Sequence, residues 1–248
     1  MRADRYLVEN GYFETRARAQ AAIAGGKVTA DGIVVSKPSQ KIAEGAEIVA
    51  EEAFPWVSRA ALKLVAALEA FGIDPAGRVC LDVGASTGGF TEVLLANGAH
   101  HVYAVDVGRG QLHRRLQADA RVTSMEGLDA RSLAGEMFEA PPSLVVCDAS
   151  FISLLKLIPR PLALTADTAD LIALIKPQFE VGRAAIGKGG LVKSENDRRR
   201  AVDTVCSGLE ATTDFAVKAV IDSPVEGGDG NREYLMAASR IRNRPDAG

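Results

Sequence analysis

The sequence lacks the long apolar segment that a membrane-spanning helix requires. Its apolar stretches, such as residues 171–175, fall far short of the roughly 18–20 residues needed to cross a bilayer. Residues 1–6 also lack the apolar core of a secretory signal. We therefore expect a cytoplasmic protein with no membrane partner.

Cysteine and histidine are scarce, with three of each in 248 residues. Cys80, Cys147 and Cys206 are widely spaced and odd in number, which does not suit a disulfide framework or a paired-cysteine metal motif. The histidines are not spaced as metal ligands relative to cysteines or carboxylates. The sequence therefore predicts buried thiols and no metal site.

The overall excess of positive charge that is typical of nucleic-acid-binding domains is also missing. The chain carries 29 basic and 32 acidic residues, for a formal net charge of −3. The bases are unevenly distributed, because residues 1–41 contain seven lysines and arginines against four acids, whereas residues 42–52 contain four acids and no base. Further basic stretches lie within residues 188–200 and 240–244. Local basic patches of this kind can attract a polyanion, but their presence does not establish that one binds.

The composition is that of a folded globular protein, with 47% hydrophobic and 25% charged residues. The length fits one large domain, or one with a small companion. Residues 1–53 predict a small α+β domain, with two short helices separated at Gly11, a hairpin at Asp31-Gly32 and a third strand at residues 47–50. Residues 54–57 are interpreted as a linker.

Residues 58–244 alternate between strand and helix patterns. Ser58 is predicted to cap a helix that Gly72 ends, and two further helices are predicted over residues 91–96 and 195–213. The predicted strands are residues 79–83, 101–105, 122–125, 143–147, 170–175, 216–221 and 233–238. This alternation indicates an α/β domain with a mainly parallel, Rossmann-like seven-stranded sheet covered by helices on both faces. A ligand is then expected at the carboxyl ends of the strands.

A glycine-rich turn follows the first of these strands, within residues 81–91. No Gly-Lys-Ser/Thr follows, which excludes a P-loop, and the spacing is not that of a dinucleotide fingerprint. Asp82, just before the first glycine, would repel a pyrophosphate but attract the cationic part of S-adenosylmethionine (SAM). Asp106 ends the next strand, where it could accept hydrogen bonds from ribose hydroxyls, and Asp129 follows the third strand, where it could meet an adenine amino group.

Three acids after three consecutive strands therefore predict a SAM site. The candidate cofactor-binding residues are Asp82, Gly84, Ser86, Thr87, Gly88, Gly89, Phe90, Asp106, Asp129 and Asp148.

Four strings in the second part of the chain are shared with a known enzyme group: residues 58–64 (SRAALKL), 147–154 (CDASFISL), 175–180 (IKPQFE) and 231–234 (NREY). On these strings, residues 58–240 resemble the class I SAM-dependent methyltransferases of the FtsJ type, which methylate ribose 2′-hydroxyls. The resemblance implies a catalytic tetrad, whose members here are Lys63, Asp148, Lys176 and Glu233.

The first part of the chain has its own resemblance, carried by residues 2–4, 15–20, 26–28 and 31–38. Residues 1–52 resemble an S4 RNA-binding domain. An S4 domain followed directly by an FtsJ-like domain is the arrangement of the TlyA family, also called hemolysin A, whose members methylate cytidine ribose in 16S and/or 23S ribosomal RNA. The resemblance implies ribosomal RNA or ribosomal subunits as partners. The candidate RNA-binding residues are Arg2, Arg5, Arg16, Arg18, Gln20, Lys27 and Lys37.

The tetrad admits two chemical interpretations. Lys176, at the end of a strand, could take the hydroxyl proton if it were neutral, or stabilise the developing alkoxide if it were charged. Asp148 is expected to orient the Lys176 ammonium, whose charge it also favours. Glu233 is expected to hold Lys63 or the ribose.

Several alternatives remain open at the level of sequence. Phe151 and Phe179 suit either base stacking or core packing, and residues 198–200 suit a solvated helix face or an RNA contact. At the level of the whole chain, the alternatives are a membrane-active hemolysin-like protein and an RNA-binding module with an inactive enzyme domain. The sequence predicts neither the oligomeric state nor the target nucleotide.

Overall fold

The computed structural model describes residues 1–240. The chain divides between Trp56 and Val57 into two compact units, here called the first and the second unit. The predicted linker, residues 54–57, spans this division. The end of the predicted second domain, residues 241–244, lies outside the described residues, as do Arg242 and Arg244 of the basic tail.

The first unit contains two helices and a three-stranded antiparallel sheet in the order β2-β1-β3. Thr15 caps the second helix, because its hydroxyl oxygen accepts a hydrogen bond from the Arg18 backbone N–H at 3.3 Å. The hairpin forms at Asp31-Gly32, as predicted. The elements are α1 (Ala3–Glu9), α2 (Arg16–Ala24), β1 (Val28–Ala30), β2 (Ile33–Val34) and β3 (Ile48–Ala50).

The core of the first unit is small. Ala19, Ala22 and Ile23 lie at helical spacing on one face of α2 and are buried. They pack with Leu7 of α1, with Phe13 and with the start of β1. A core of this size leaves the unit's stability dependent on its few buried polar contacts as well.

The second unit is an α/β fold around a seven-stranded sheet of order β6-β5-β4-β7-β8-β10-β9. All strands run parallel except β10, which is antiparallel to both of its neighbours. The prediction of a mainly parallel seven-stranded sheet is therefore confirmed. The strands are β4 (Val79–Val83), β5 (His101–Asp106), β6 (Val122–Glu126), β7 (Leu144–Cys147), β8 (Asp170–Ile175), β9 (Phe215–Asp222) and β10 (Tyr234–Arg240).

Helices lie in most of the connections between these strands, and 3₁₀ turns occur at Ala130–Ser132, Gly135–Met137, Arg183–Ala185 and Lys188–Gly190. None of the helices in the described residues is long and apolar enough to span a bilayer. The helices are α3 (Ala61–Phe71), α4 (Gly89–Ala96), α5 (Arg114–Gln117), α6 (Leu154–Leu157), α7 (Pro159–Ala163), α8 (Pro177–Glu180) and α9 (Glu195–Thr212).

The predicted cap at Ser58 is wrong. Helix α3 begins at Ala61, and no side chain caps its amino end. In the turn before α3, the backbone carbonyl of Ser58 accepts a hydrogen bond from the Ala61 N–H at 3.2 Å. Its hydroxyl lies instead against Gly89, where a Cβ atom would clash with it. Gly72 does end the helix in a left-handed conformation (φ 63°), as predicted.

The topology gathers one edge of the sheet into a site. The parallel strands β4, β7 and β8 end side by side, so Gly84, Asp148 and Lys176 follow them at the same edge. Because β10 is antiparallel to β8, with Tyr234 opposite Ile175, Glu233 also lies at this edge. Residues from four distant parts of the sequence are therefore neighbours in the fold.

Candidate active site

Two adjoining cavities open at this edge of the sheet. The lysine cavity, of about 510 Å³, is lined by both tetrad lysines and by Phe90, Phe151 and Phe179. The aspartate cavity, of about 540 Å³, is lined by Asp106 and Asp129. The residues common to both linings are Gly84, Ser86, Asp148, Ser150 and Phe151. The site can therefore hold two ligands, or two parts of a reacting pair, that meet beside Asp148.

The four tetrad side chains form a continuous chain of ionic contacts. Lys176 Nζ lies 2.7 Å from Asp148 Oδ1, and Lys63 Nζ lies 3.6 Å from Asp148 Oδ2. Lys63 Nζ in turn donates to Glu233 Oε2 at 2.6 Å. Both lysines and Glu233 are buried, and Asp148 is nearly so. Two cations and two anions balance in a small volume, which lowers the cost of burying each charge.

Lys176 has the densest set of partners in this group. Besides the Asp148 carboxylate, its Nζ donates to the Asp148 backbone carbonyl at 3.2 Å and to Ser150 Oγ at 2.8 Å. Two of the three ammonium donors make these hydrogen bonds, and Asp148 Oδ1 is held as an ion pair at 2.7 Å. The arrangement therefore fixes the Lys176 head group at the junction of the two cavities.

The glycine turn is shaped by close backbone packing. Gly84 adopts a positive φ of 83°, and a Cβ atom there would lie 2.9 Å from the backbone of Ala149. A side chain at this position would separate the turn from the segment that follows β7. The absence of a side chain thus brings Gly84 and Asp148 together at the common wall of the two cavities.

The predicted acids Asp106 and Asp129 both line the aspartate cavity. Asp106 accepts backbone hydrogen bonds from Ser86 at 2.8 Å and from Gly108 at 2.7 Å, one on each oxygen. Each oxygen keeps a lone pair that a ligand hydroxyl can use. The Asp129 carboxylate is paired with Arg131, whose guanidinium holds the pKa of that carboxyl below its usual range.

Asp82 does not lie where the sequence interpretation needs it. It is fully buried, lines neither cavity, and accepts a hydrogen bond from Thr91 Oγ1 at 2.7 Å. Its other oxygen has no hydrogen-bond partner among the described residues. Burial without a cationic partner raises the pKa of the Asp82 carboxyl to about 7. Asp82 therefore lies beneath the glycine turn and not in the direct contact with a ligand that the sequence predicts.

None of the other residues of the predicted cofactor set belongs to the aspartate cavity alone. Thr87, Gly89 and Phe90 line the lysine cavity, whereas Gly88 lines neither. The absent side chain of Gly88 leaves room for Leu112 and Leu116, so this glycine serves packing.

The aromatic pair Phe151 and Phe179 borders the lysine cavity. Phe151 is 91% exposed and adopts a positive φ of 67°, which is unusual for a residue with a side chain. Its ring centroid lies 5.4 Å from that of Phe179. The choice between core packing and a ligand-facing role, open in the sequence, is decided for Phe151, which is not part of the core.

Two residues at the site were missed by the sequence interpretation. Glu126, at the end of β6, accepts backbone hydrogen bonds from Gly110, Gln111 and Leu112 and so holds the loop that lines the aspartate cavity. Gln178 follows Lys176 by two residues, lines the lysine cavity and donates to Asp229 Oδ2 at 3.2 Å. Neither could be found from the sequence, because their partners are distant or are backbone atoms.

The predicted RNA-binding residues of the first unit differ in whether an acidic side chain already pairs with them. Arg5 pairs with Glu9 at 2.5 Å and Lys27 with Glu51 at 3.1 Å. For Lys37, no side-chain partner is found within residues 1–240. The Arg18 guanidinium contacts Glu52 and the Trp56 carbonyl and is only 15% exposed, which argues against its assignment to RNA.

The other three predicted RNA-binding residues, Arg2, Arg16 and Gln20, share one partner. All three donate to the carboxylate of Asp4. They are the only members of the predicted set that gather at one point of the first unit.

Within residues 1–240, no group of three or more His, Cys, Asp or Glu side chains is arranged to hold a metal ion. Cys80 and Cys147 are buried free thiols, and burial raises the pKa of each to about 12. The cysteines therefore belong to the packing of the second unit.

Comparison with protein-family models gives two matches that together cover nearly the whole chain. Residues 56–240 match the FtsJ-like methyltransferase model, and residues 1–48 match the S4 domain model.

Individual relatives match over both units. The chain is 44% identical over 237 residues to the Mycobacterium tuberculosis protein named 16S/23S rRNA (cytidine-2′-O)-methyltransferase TlyA, covering 95% of this chain and 88% of that one. It is 40% identical to Hemolysin A of Brachyspira hyodysenteriae, covering 95% and 98%. A solved structure from Streptococcus thermophilus, named as a hemolysin, superposes with a TM-score of 0.77 at 39% identity, covering 97% and 88%.

Proposed function

The chain belongs to the FtsJ-like methyltransferase family and carries an S4 domain at its amino terminus, and on this basis we propose that it methylates a ribose 2′-hydroxyl of cytidine in ribosomal RNA. The methyl donor is proposed to be SAM. The family membership confirms the resemblance drawn from the sequence. The relative named TlyA supports cytidine in 16S or 23S ribosomal RNA as the target.

The observation that carries this proposal is the convergence of Lys63, Asp148, Lys176 and Glu233 at the junction of two cavities. A methyl transfer needs a donor and an acceptor to meet in line at one point. The aspartate cavity and the lysine cavity share one wall, and the tetrad reaches that wall through Asp148.

The residues of the aspartate cavity fit SAM. Asp106 offers carboxylate lone pairs to ribose hydroxyls, and the backbone of Gly84 and Ser86 approaches the cavity with no bulky side chain between. When bound, SAM supplies an electrophilic methyl group on a sulfonium, so the protein has to align the ribose and manage one proton.

Lys176 is proposed to hold the ribose oxygen. It forms an ion pair with Asp148 at 2.7 Å, so we infer electrostatic guidance of the developing alkoxide as its principal role, with the hydroxyl proton released to water as the bond to the methyl group forms. Abstraction of the hydroxyl proton by a neutral Lys176 is the alternative, and an arginine substitution separates the two.

Lys63 and Glu233 are proposed to position the tetrad. Lys63 joins Asp148 to Glu233, so it fixes the side of Asp148 that does not face Lys176. The exposed Phe151, next to this group, is proposed to stack on the target base and so to hold the nucleotide in the lysine cavity.

The first unit is proposed to anchor the RNA, as its match to the S4 domain supports. Ribosomal RNA or a ribosomal subunit is then the partner, and the cytoplasm is the proposed place of action. An inactive enzyme domain is not favoured, because all four tetrad side chains are present and are linked in one chain of ionic contacts. A membrane-active role gains no support from the described helices.

The proposal is tested by incubating the purified chain with labelled SAM and unmodified 16S and 23S ribosomal RNA, free and in subunits. We expect methyl transfer to the 2′-oxygen of one or a few cytidines, and a strongly reduced rate with Lys176→Ala. Methylation of a base instead of a ribose, or no methylation of any of these RNAs, would reject the proposal.

A further inference from the structure

A buried carboxylate organises the arginines of the first unit. Asp4, in the first turn of α1, is fully buried. It accepts from Arg2 at 3.1 and 3.2 Å, from Arg16 Nη2 at 2.6 Å and from Gln20 Nε2 at 2.9 Å. Side chains from two helices and from the residue before α1 are thus fixed relative to one another by one group.

The carboxylate stays ionised at any working pH. Hydrogen bonds from Arg2 and Arg16 hold the pKa of Asp4 far below its usual range and outweigh its burial. A buried carboxylate stripped of such partners is costly, so the contacts persist as a set.

The two arginines remain available to a ligand although they share Asp4. Their side chains are 51% and 57% exposed for Arg2 and Arg16. A guanidinium has five N–H donors, and Asp4 uses two of Arg2 and one of Arg16. Two positive charges against one negative leave a surplus of one, with oriented donors at the surface.

Other bases of the first unit lack this combination. Arg5, Lys27 and Arg18 each pair with a single acid, which leaves no local surplus of charge. The backbone of Lys41 forms a β-bridge with Arg2, so a third basic residue neighbours the pair in the fold.

We propose that Asp4 is a positioning residue that holds Arg2 and Arg16 in the orientation needed to bind an RNA phosphate. The inference rests on the proposed function, in which the first unit anchors ribosomal RNA. It adds that a negative charge, buried under the arginines, is required for binding a polyanion.

The Asp4→Asn variant of the full chain tests this, because orientation and net charge predict opposite outcomes. If only net charge mattered, removing an acid would tighten RNA binding. If Asp4 positions the arginines, affinity for deproteinised ribosomal RNA falls about tenfold. The slope of log affinity against log salt also decreases, by about 0.7 for each phosphate of single-stranded RNA that the variant no longer neutralises. The matched control, Glu51→Gln, makes the same change in net charge at the Lys27 pair and should not weaken binding.

A second variant keeps the test valid if Asp4→Asn unfolds the first unit, which circular dichroism would reveal. Arg16→Lys preserves both the charge and Asp4, but a lysine cannot present the planar fork, so weaker RNA binding is expected. If Asp4→Asn folded and bound RNA as tightly as the wild type, or if it unfolded and Arg16→Lys bound as tightly, the inference would be overturned while the proposed function stood. If the wild type itself bound no ribosomal RNA, the proposed function would fail first.

Discussion

Each unit of the molecule places one carboxylate between two basic side chains, and the basic side chains differ greatly in their exposure. In the first unit Asp4 joins Arg2 and Arg16, whose guanidinium groups are half exposed. In the second unit Asp148 joins Lys63 and Lys176, whose head groups are buried. Exposed, oriented arginines suit a polyanion with many equivalent phosphates, whereas a buried lysine suits a single oxygen atom.

Burial changes what the same charge pattern can do. A surface arginine pair contributes affinity that salt screens, because it replaces counterions on the RNA. A buried ammonium acts through a short distance in a medium of low polarisability, where its field on a developing charge is stronger. The two carboxylate-centred groups should therefore be separable, one by binding and the other by the chemical step.

The largest effect is expected at Lys176. Lys176→Ala should reduce the single-turnover rate of methyl transfer at saturating SAM and RNA by about 10²–10⁴-fold, the range for a positioned acid–base group. RNA affinity should stay near that of the wild type. The exposed Lys218→Ala, in β9, is the matched control and should keep full activity.

The Lys176→Arg variant then identifies the role of the lysine. An arginine keeps the positive charge but does not give up its proton, so activity near that of the wild type would establish electrostatic guidance. A loss as large as that of the alanine variant would favour proton abstraction, or a geometry that only lysine satisfies. Full activity of Lys176→Ala would reject the tetrad assignment altogether.

A smaller effect is expected at Phe151, which borders both cavities. Phe151→Ala should lower kcat/KM for RNA roughly 5- to 150-fold at saturating SAM, the equivalent of about 1–3 kcal/mol of base stacking. Phe151→Tyr keeps the aromatic face and should restore most of the activity. Unchanged kcat/KM in the alanine variant would show that the exposed ring is not a stacking surface.

The sequence alone predicts the strands and the glycine turn of the second unit, but not how distant residues converge. The strands of the second unit were located because each is an apolar run bounded by turn residues, and the glycine turn was found because it joins such a run to a helix. The tetrad residues were assigned from short sequence strings that the chain shares with the FtsJ-type methyltransferases. Their convergence depends on the antiparallel insertion of β10, which brings Glu233 to the edge where Lys176 lies.

The predictions for Asp82, Arg18 and Ser58 differ from the structure for physical reasons. Asp82 is an acid at a strand end, but whether its side chain faces the cavity or Thr91 depends on tertiary packing. The sign of charge on Arg18 is visible in the sequence, but its partner Glu52 lies 34 residues away. Ser58 has the residue type of a helix cap, yet its hydroxyl packs on Gly89 instead.

A moderate effect separates two arginines that the sequence treats alike. Arg16→Ala should weaken RNA binding several-fold and reduce the salt slope by about 0.7 on single-stranded RNA, since one phosphate is no longer neutralised. Arg18→Ala should leave RNA affinity nearly unchanged and instead lower the thermal stability of the first unit, because Arg18 contacts Glu52 and Trp56. Titrations at several salt concentrations measure the first effect and thermal melts the second. An equal weakening of RNA binding by both variants would remove the distinction.

The last effect concerns the pH dependence of stability, where Asp4 and Asp82, both fully buried, behave in opposite ways. The pKa of Asp4 is lowered by its arginines, so its stabilising contribution is present at neutral pH and is lost as the pH falls into the acid range. The pKa of Asp82 is raised to about 7 by burial, so the folded state binds its proton more tightly than the unfolded state does. Stability conferred by protonated Asp82 is therefore lost as the pH rises from about 4 to about 7.

Asp82→Asn should remove this loss, since an amide has no proton to release in that range and its oxygen can still accept from Thr91. In calorimetric melts from pH 4 to pH 8, the melting temperature of the variant should rise relative to that of the wild type as the pH increases. The difference should reach a few kcal/mol in unfolding free energy and level off above pH 7. The exposed Asp167→Asn serves as the control and should leave the pH profile unchanged. A constant difference between Asp82→Asn and the wild type would mean that Asp82 is ionised in the folded protein throughout, and that a cation or ligand donor must then reach its unpartnered oxygen.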